Sequence, residues 1–237
     1  MSIVIVTGTG TDVGKTVVTG AIGVVLEQAG YKPFIVKAMQ TGEAEGHGDA
    51  CRMTELTGIT NAVTLYRFPE PLAPATAARR AAMQCPDLAT VAEEIRAYDE
   101  AGRVVLVEGA GGLLVRMGED WTIADLGREL NARLLIVCST GLGSLNDAAL
   151  TVEVAKSRGL SVIGLIGGSF PVNPDVATQC NRVDLPAVTG CDVLGYIPEG
   201  AGSWPQQQFV QKAQEFFVPD IIDRVVHLER KMFSVPR

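Results

Sequence analysis

The segment Ile3-Val4-Ile5-Val6-Thr7-Gly8-Thr9-Gly10-Thr11-Asp12-Val13-Gly14-Lys15-Thr16 constrains this chain more than any other. Four apolar, β-branched residues make a buried strand, and a glycine-rich turn then opens a helix. Such a unit is a cradle for polyphosphate. Gly8, Gly10 and Gly14, with Thr9, Asp12 and Val13 between them, let backbone N–H groups turn inward at a helix N-terminus, where the peptide dipoles already favour an anion. Lys15 can reach the β- and γ-phosphates, and the Thr16 hydroxyl can ligate Mg²⁺. The common spacing of this motif would put glycine at position 9. Thr9 stands there instead, and five residues separate Gly8 from Gly14, so the loop is one residue longer.

The rest of the chain suits an enclosing α/β domain. Apolar runs at 3–6, 34–36, 104–107, 134–137, 162–166 and 193–197 read as strands covered on both faces. Val18, Ile22, Val25 and Ala29 form a helical stripe that stops before Gly30; 88–98, capped by Asp87, and 146–156 scan as further helices. Alternation of this kind implies right-handed crossovers and an open, mostly parallel sheet with helices on both faces, in one domain over 1–237.

With 20 Lys+Arg against 27 Asp+Glu, the net charge of −7 disfavours nucleic acid and anionic membrane as partners. No run approaches the ~20 apolar residues of a bilayer span. Five cysteines without a CxxC pair, and only two histidines, indicate neither a disulfide framework nor a zinc site. A cytoplasmic protein is expected.

Mg²⁺ takes one or two carboxylates besides phosphate oxygens and water. Glu108 ends the run Val104-Val105-Leu106-Val107 and opens Gly109-Ala110-Gly111-Gly112, which puts a carboxylate and flexible backbone, Gly111 included, on the ligand-binding edge of an open sheet. Lys37 ends the second strand on the same edge, where a cation can stabilise charge on a transferring phosphoryl group. Asp49, after a glycine-rich stretch, is a further metal candidate or simply a helix N-cap.

Together these segments resemble dethiobiotin synthetase, from the first strand to about Pro198. The resemblance rests on Thr7-Gly8-Thr9, Thr11, Val13-Gly14-Lys15-Thr16, on Lys37 with Thr41-Gly42, and on Val107 through Gly112; Gly141 to Asn146 and Pro71-Leu72-Ala73-Pro74 agree with it. It implies conversion of 7,8-diaminononanoate, CO₂ (or bicarbonate) and ATP to dethiobiotin, ADP and phosphate, through a carbamate and a carbamic-phosphoric anhydride. It further implies that Lys15, Lys37 and Thr11 act on the reacting groups and that Thr16, Asp49 and Glu108 hold Mg²⁺. Thr41 would meet the substrate. Gly143, Ser144, Leu145 and Asn146 would grip the substrate carboxylate across the interface of a homodimer. The family's adenine-reading Asn-Asp pair is matched here by Gly168-Ser169, which removes an amide able to read the base and opens the site to CTP or another triphosphate. Pro198, Glu199 and Gly200 match the other side of the base pocket. Residues 227–237 extend past the resemblance as a flexible appendage.

A partition or septum-positioning switch ATPase is the main alternative. Such proteins carry an additional lysine early in the phosphate loop, and residues 8–13 contain none. An amidoligase with a glutaminase domain does not fit this length, and no NKxD guanine motif is present.

Overall fold

A computed structural model describes residues 3–44 and 46–226. The 227–237 segment lies outside the described residues. Among those described, seven strands form one sheet in the order β3-β2-β4-β1-β5-β6-β7: β1 (Ile3–Gly8), β2 (Lys32–Thr41), β3 (Ala62–Phe68), β4 (Arg103–Gly112), β5 (Arg133–Cys138), β6 (Val162–Phe170) and β7 (Val193–Pro198). Every pairing is parallel, so the expected mostly parallel sheet is wholly so.

Period-two alternation divides each central strand between two cores. Ile3, Ile5, Val105, Val107, Leu134 and Ile136 point to one face. There they meet α3 (Pro74–Arg80), α4 (Leu88–Arg96), α5 (Ile123–Glu129), α6 (Ser144–Ser157) and α7 (Val176–Thr189). Val4, Val6, Val104, Leu106, Leu135 and Val137 point to the other, against α1 (Lys15–Gln28), α2 (Asp49–Thr57), α8 (Gln206–Lys212) and α9 (Ile221–Val226). Because both faces are covered, the strands need no polar side, and their sequences show none.

The expected strands all form, and the helices begun at Lys15, Leu88 and Ser144 overlap the expected stripes. Asp87 caps α4 by accepting from the Thr90 N–H at 2.8 Å. The edge strand β3 carries no apolar run, since only Phe68 in it is fully buried, and periodicity does not announce it. Strand β2 continues well past its apolar core, through Lys37 and Gln40, because these polar residues are themselves buried. Asp49 is the first residue of α2 rather than its cap, a position that Gly48 takes.

Strand β1 lies between β4 and β5, so the chain's crossovers diverge on either side of it. Ligands in open α/β sheets bind at the carboxyl ends beside such a point. The phosphate loop emerges there and is tied down on two sides. Thr9 N–H donates to the Val137 carbonyl at 2.9 Å. Gly14, at φ +97°, lies against Gly168 of β6 so closely that a Cβ on Gly14 would come 2.5 Å from the Gly168 carbonyl oxygen. A Cβ on Gly168 would come 1.7 Å from the Val13 carbonyl oxygen. By contrast, a Cβ on Gly10 would meet nothing within 4 Å.

Gly168→Ala therefore overpacks backbone against backbone, and we expect a loss of about 2 kcal/mol or more in urea unfolding. Gly10→Ala in the same loop should change stability by under about 0.5 kcal/mol. Equal effects of the two would refute the interlock of loop and strand.

Candidate functional site

At the carboxyl ends of β1, β2 and β4 lies a cleft of about 920 Å³. It brings together Thr11, Asp12, Gly14, Lys15 and Thr16 of the loop, Lys37 and Thr41 of β2, Asp49 of α2, and Glu108 and Gly111 of β4. Residues 71–74 form its far wall, with Pro71 seated against Gly42.

Local backbone explains the loop's shape. Asp12 and Gly14 both have positive φ, at 57° and 97°, so successive peptides turn their N–H groups to one concave side, a nest for an anion. Asp tolerates this region through its short polar side chain. The first-turn amides of α1 add unspent donors to the same concavity. Lys15 arches back over the loop, donating to the Gly10 carbonyl at 2.7 Å.

Beneath the loop sits a compact ionic cluster. Lys37 Nζ donates to Glu108 Oε1 at 2.8 Å and to the Gly109 carbonyl at 3.2 Å, and it forms an ion pair with Asp49 Oδ2. Thr16 Oγ1 lies 3.0 Å from Asp49 Oδ1 and 3.1 Å from Glu108 Oε1. The register pairs Lys37 with Glu108 directly across β2 and β4, so the sheet itself aligns the ion pair. Glu108 is wholly buried and Lys37 is 4% exposed.

Burial and neighbouring charge set the protonation of these groups. Burial is the largest influence on Lys37 and pushes its pKa down, but the Glu108 and Asp49 carboxylates outweigh it and hold the ammonium above the usual lysine range. Burial lifts the Glu108 carboxyl above the usual range, opposed by Lys37. For Asp49, burial raises the pKa, yet Lys37 and the hydrogen bonds from Lys37 and Thr16 overcome it, leaving that carboxyl below the usual range. Lys15 is held below the usual lysine range by burial, with Glu108 opposing and the like charge of Lys37 adding to the effect.

The oxygens of this cluster suit a small hard cation. Two cis ligands of an octahedral ion bound at about 2.1 Å stand roughly 3 Å apart, the spacing that Thr16 keeps from both carboxylates. Glu108 Oε2 is buried with no hydrogen-bond partner, an acceptor left over for a further ligand. Among the described residues no group of three or more His, Cys, Asp or Glu is arranged for a metal, so phosphate oxygens and water would complete any such shell.

Other candidates lie around this centre. Thr9 and Gly10 border a second hollow of about 420 Å³ with Leu114 and Leu150. Gly143 caps α6, which begins with Ser144, Leu145 and Asn146, and these four do not line the main cleft. Gly168 is buried against the loop and Ser169 is exposed at the end of β6. Pro198 pairs with Phe170, and Glu199 N–H donates to the Phe170 carbonyl at 2.9 Å; after Gly200 the chain turns so that Gly202 lies against Val17 of α1.

Two buried amides escaped the sequence reading. Gln40, 6% exposed, accepts from the Asp49 N–H at 2.9 Å and so fixes the start of α2. Asn181 of α7 binds the loop before α6. Neither stands in a motif; a polar residue inside an apolar strand was the only signal for Gln40, and Asn181 gave none.

An AAA domain family model matches residues 3–206. The chain is 72% identical to the ATP-dependent dethiobiotin synthetase BioD of Corynebacterium kroppenstedtii over 225 residues, 95% of this chain and 98% of that protein. It is 48% identical to the protein of the same name from Corynebacterium diphtheriae over 219 residues, 92% and 98% of the two chains. Among solved structures, the septum site-determining protein MinD of Pyrococcus horikoshii, complexed with Mg-ADP, superposes with a TM-score of 0.54 at 19% identity, covering 90% of this chain and 94% of that one. Apo McdA gives 0.55 at 13% identity, covering 96% and 97%. At such identities these two show a shared fold and no more.

Removing Lys37 leaves Glu108 and Asp49 without their cation. Lys37→Ala should cost about 3–5 kcal/mol near pH 8. In that variant both carboxyls titrate higher in the folded than in the unfolded chain, so the folded state binds extra protons and the loss shrinks as pH falls toward about 5. Urea unfolding at the two pH values checks this; a loss independent of pH would dismiss charge pairing as its cause.

Proposed function

The chain belongs to the dethiobiotin synthetase family, and on that premise we propose how its cleft carries out the reaction. It is an ATP-dependent ligase that forms dethiobiotin. The observation that carries the reading is the convergence of two lysines, Lys15 and Lys37, on one cleft with the Thr16–Asp49–Glu108 oxygen set.

The substrates are 7,8-diaminononanoate, CO₂ and a nucleoside triphosphate. One amine adds to CO₂ and loses a proton, giving a carbamate. A carbamate oxygen then attacks the γ-phosphorus; the P–O bond to the β-phosphate breaks and ADP departs. The neighbouring amine attacks the carbon of the resulting carbamic-phosphoric anhydride, and phosphate leaves as the ring closes. Such chemistry asks the protein for position and positive charge rather than for a nucleophile.

In this scheme the nest between Gly8 and Thr16 holds the phosphates, and Lys15 exchanges its bond to Gly10 for phosphate oxygen. Lys37, held protonated by two carboxylates, faces the carbamate and the transferred group. Thr11 and Thr41, which both line this cleft, hydrogen-bond phosphate and substrate. Thr16, Asp49 and Glu108 would hold Mg²⁺, which supplies Lewis-acid stabilisation of phosphate charge. Gly143, Ser144, Leu145 and Asn146 grip the substrate carboxylate of a partner subunit. Leu142, 93% exposed, and the exposed Leu114 and Leu150 support a homodimer on that side. The scattered cysteines support a cytoplasmic protein and the acidic charge one without a nucleic-acid or membrane partner, and no helix among the described residues is long and apolar enough to cross a membrane.

Base recognition is relaxed. A side chain at 168 would strike the Val13 carbonyl, so no amide reads the base from that position, and Pro198, Glu199 and Gly200 offer backbone instead. CTP should bind within about tenfold of ATP, or ~1.4 kcal/mol, in calorimetric competition; a larger gap in favour of ATP would count against relaxed recognition.

With MgATP and bicarbonate, phosphate release should rise at least about tenfold when the diamine is added, and dethiobiotin should appear among the products. A hydrolysis rate indifferent to the diamine but responsive to DNA or lipid would instead favour a switch ATPase.

A further inference from the structure

The loop 140–144 is held by a side chain from a different element. Asn181 of α7 is 6% exposed, and its Nδ2 lies 3.1 Å from the Thr140 carbonyl, 2.7 Å from the Gly141 carbonyl and 3.0 Å from Ser144 Oγ. Its two N–H donors are thus shared among three oxygens at the mouth of α6. The other buried polar side chains of α7 stay local: Thr189 bonds within the helix end and Thr178 sits in the turn that Asp175 caps. On its other side the loop is pinned by Thr140 Oγ1, which donates to the Ser169 carbonyl of β6 at 2.8 Å.

This arrangement decides which way the loop's peptides face. In a trans peptide the C=O and N–H point in opposite directions. Carbonyls 140 and 141 are turned toward Asn181, so the N–H groups of Gly141 and Leu142 are turned away from α7, on the side opposite the amide. The Gly141 carbonyl also accepts from the Ser144 N–H at 3.2 Å, so the two amide hydrogens and that backbone donor together serve the three oxygens, and without the amide the Thr140 carbonyl and Ser144 Oγ lose the donor it supplies.

We propose that Asn181 is a positioning residue for the diamine: by fixing carbonyls 140 and 141, it sets the N–H groups of the loop and of the first turn of α6 to receive the substrate's carboxylate. This rests on the reading of residues 143–146 as the carboxylate grip. Asn181 touches no substrate; its effect passes through the peptides it orients. Loss of the amide should therefore weaken ground-state binding of a carboxylate-bearing diamine and leave the phosphoryl-transfer centre alone.

The test compares Asn181→Leu, alike in branching but without donors, with the unaltered protein on two substrates: 7,8-diaminononanoate and 2,3-diaminononane, the same diamine with a methyl in place of the carboxylate. For the variant, KM for the acid should rise about tenfold, with KM for ATP within about twofold and kcat within about threefold. The preference for the acid over the carboxylate-free diamine should fall by about the same tenfold factor. A merely structural residue would depress both substrates alike and leave that preference intact, which would overturn the proposal. If Asn181→Leu does not fold, Thr140→Val removes the second tether while keeping shape; it should lower the same preference severalfold, and an unchanged preference would again overturn the proposal. Should the unaltered protein itself not distinguish the two diamines, the carboxylate-grip reading fails, a result separate from either variant's.

Discussion

The Lys37 ammonium, wedged between Glu108 and Asp49 under the Thr16 hydroxyl, is the contact on which the rest of this cleft depends. Two carboxylates this close, one wholly buried, repel each other and resist ionisation; the lysine opposes that repulsion, holding Asp49 below the usual carboxylate range while burial still leaves Glu108 above it. The same contact joins β2, β4, the start of α2 and the start of α1, so electrostatics and architecture meet at one nitrogen atom.

Around that centre the backbone does the positioning. The loop between β1 and α1 is held to β5 by the Thr9 N–H and to β6 by the contact of Gly14 with Gly168. From β6 the hydrogen bond of Thr140 to Ser169 leads on to the start of α6, where Asn181 takes over. The loops 8–14 and 140–144 thus share supports on the carboxyl edge of the sheet, although 140–144 does not line the main cleft.

Much of this was legible beforehand because it is encoded locally. The phosphate loop announces itself by residue type and spacing, and Glu108 and Lys37 by standing at the ends of apolar runs, where strands must stop. Asp49 was visible only as a carboxylate after glycines; its approach to Lys37 depends on α2 folding back over β2, a non-local fact. Strand β3 and the buried Gln40 were hidden for a related reason, since an edge strand is half-exposed and a polar residue in a strand can be either buried or solvated.

The sequence by itself determined the parallel α/β class, the nucleotide loop and the charged residues that face it, because strand, turn and helix preferences act over a few neighbouring residues. Only the tertiary structure decided the ionic cluster, the exclusion of any side chain at Gly168 and the contacts of Asn181. Each of these joins segments far apart in the chain, Thr16 with Glu108, Val13 with Gly168, Asn181 with Thr140, and their distances follow from how strands register and helices pack rather than from any stretch of sequence. A glycine reads the same in a loose turn as against a carbonyl; the packing tells them apart.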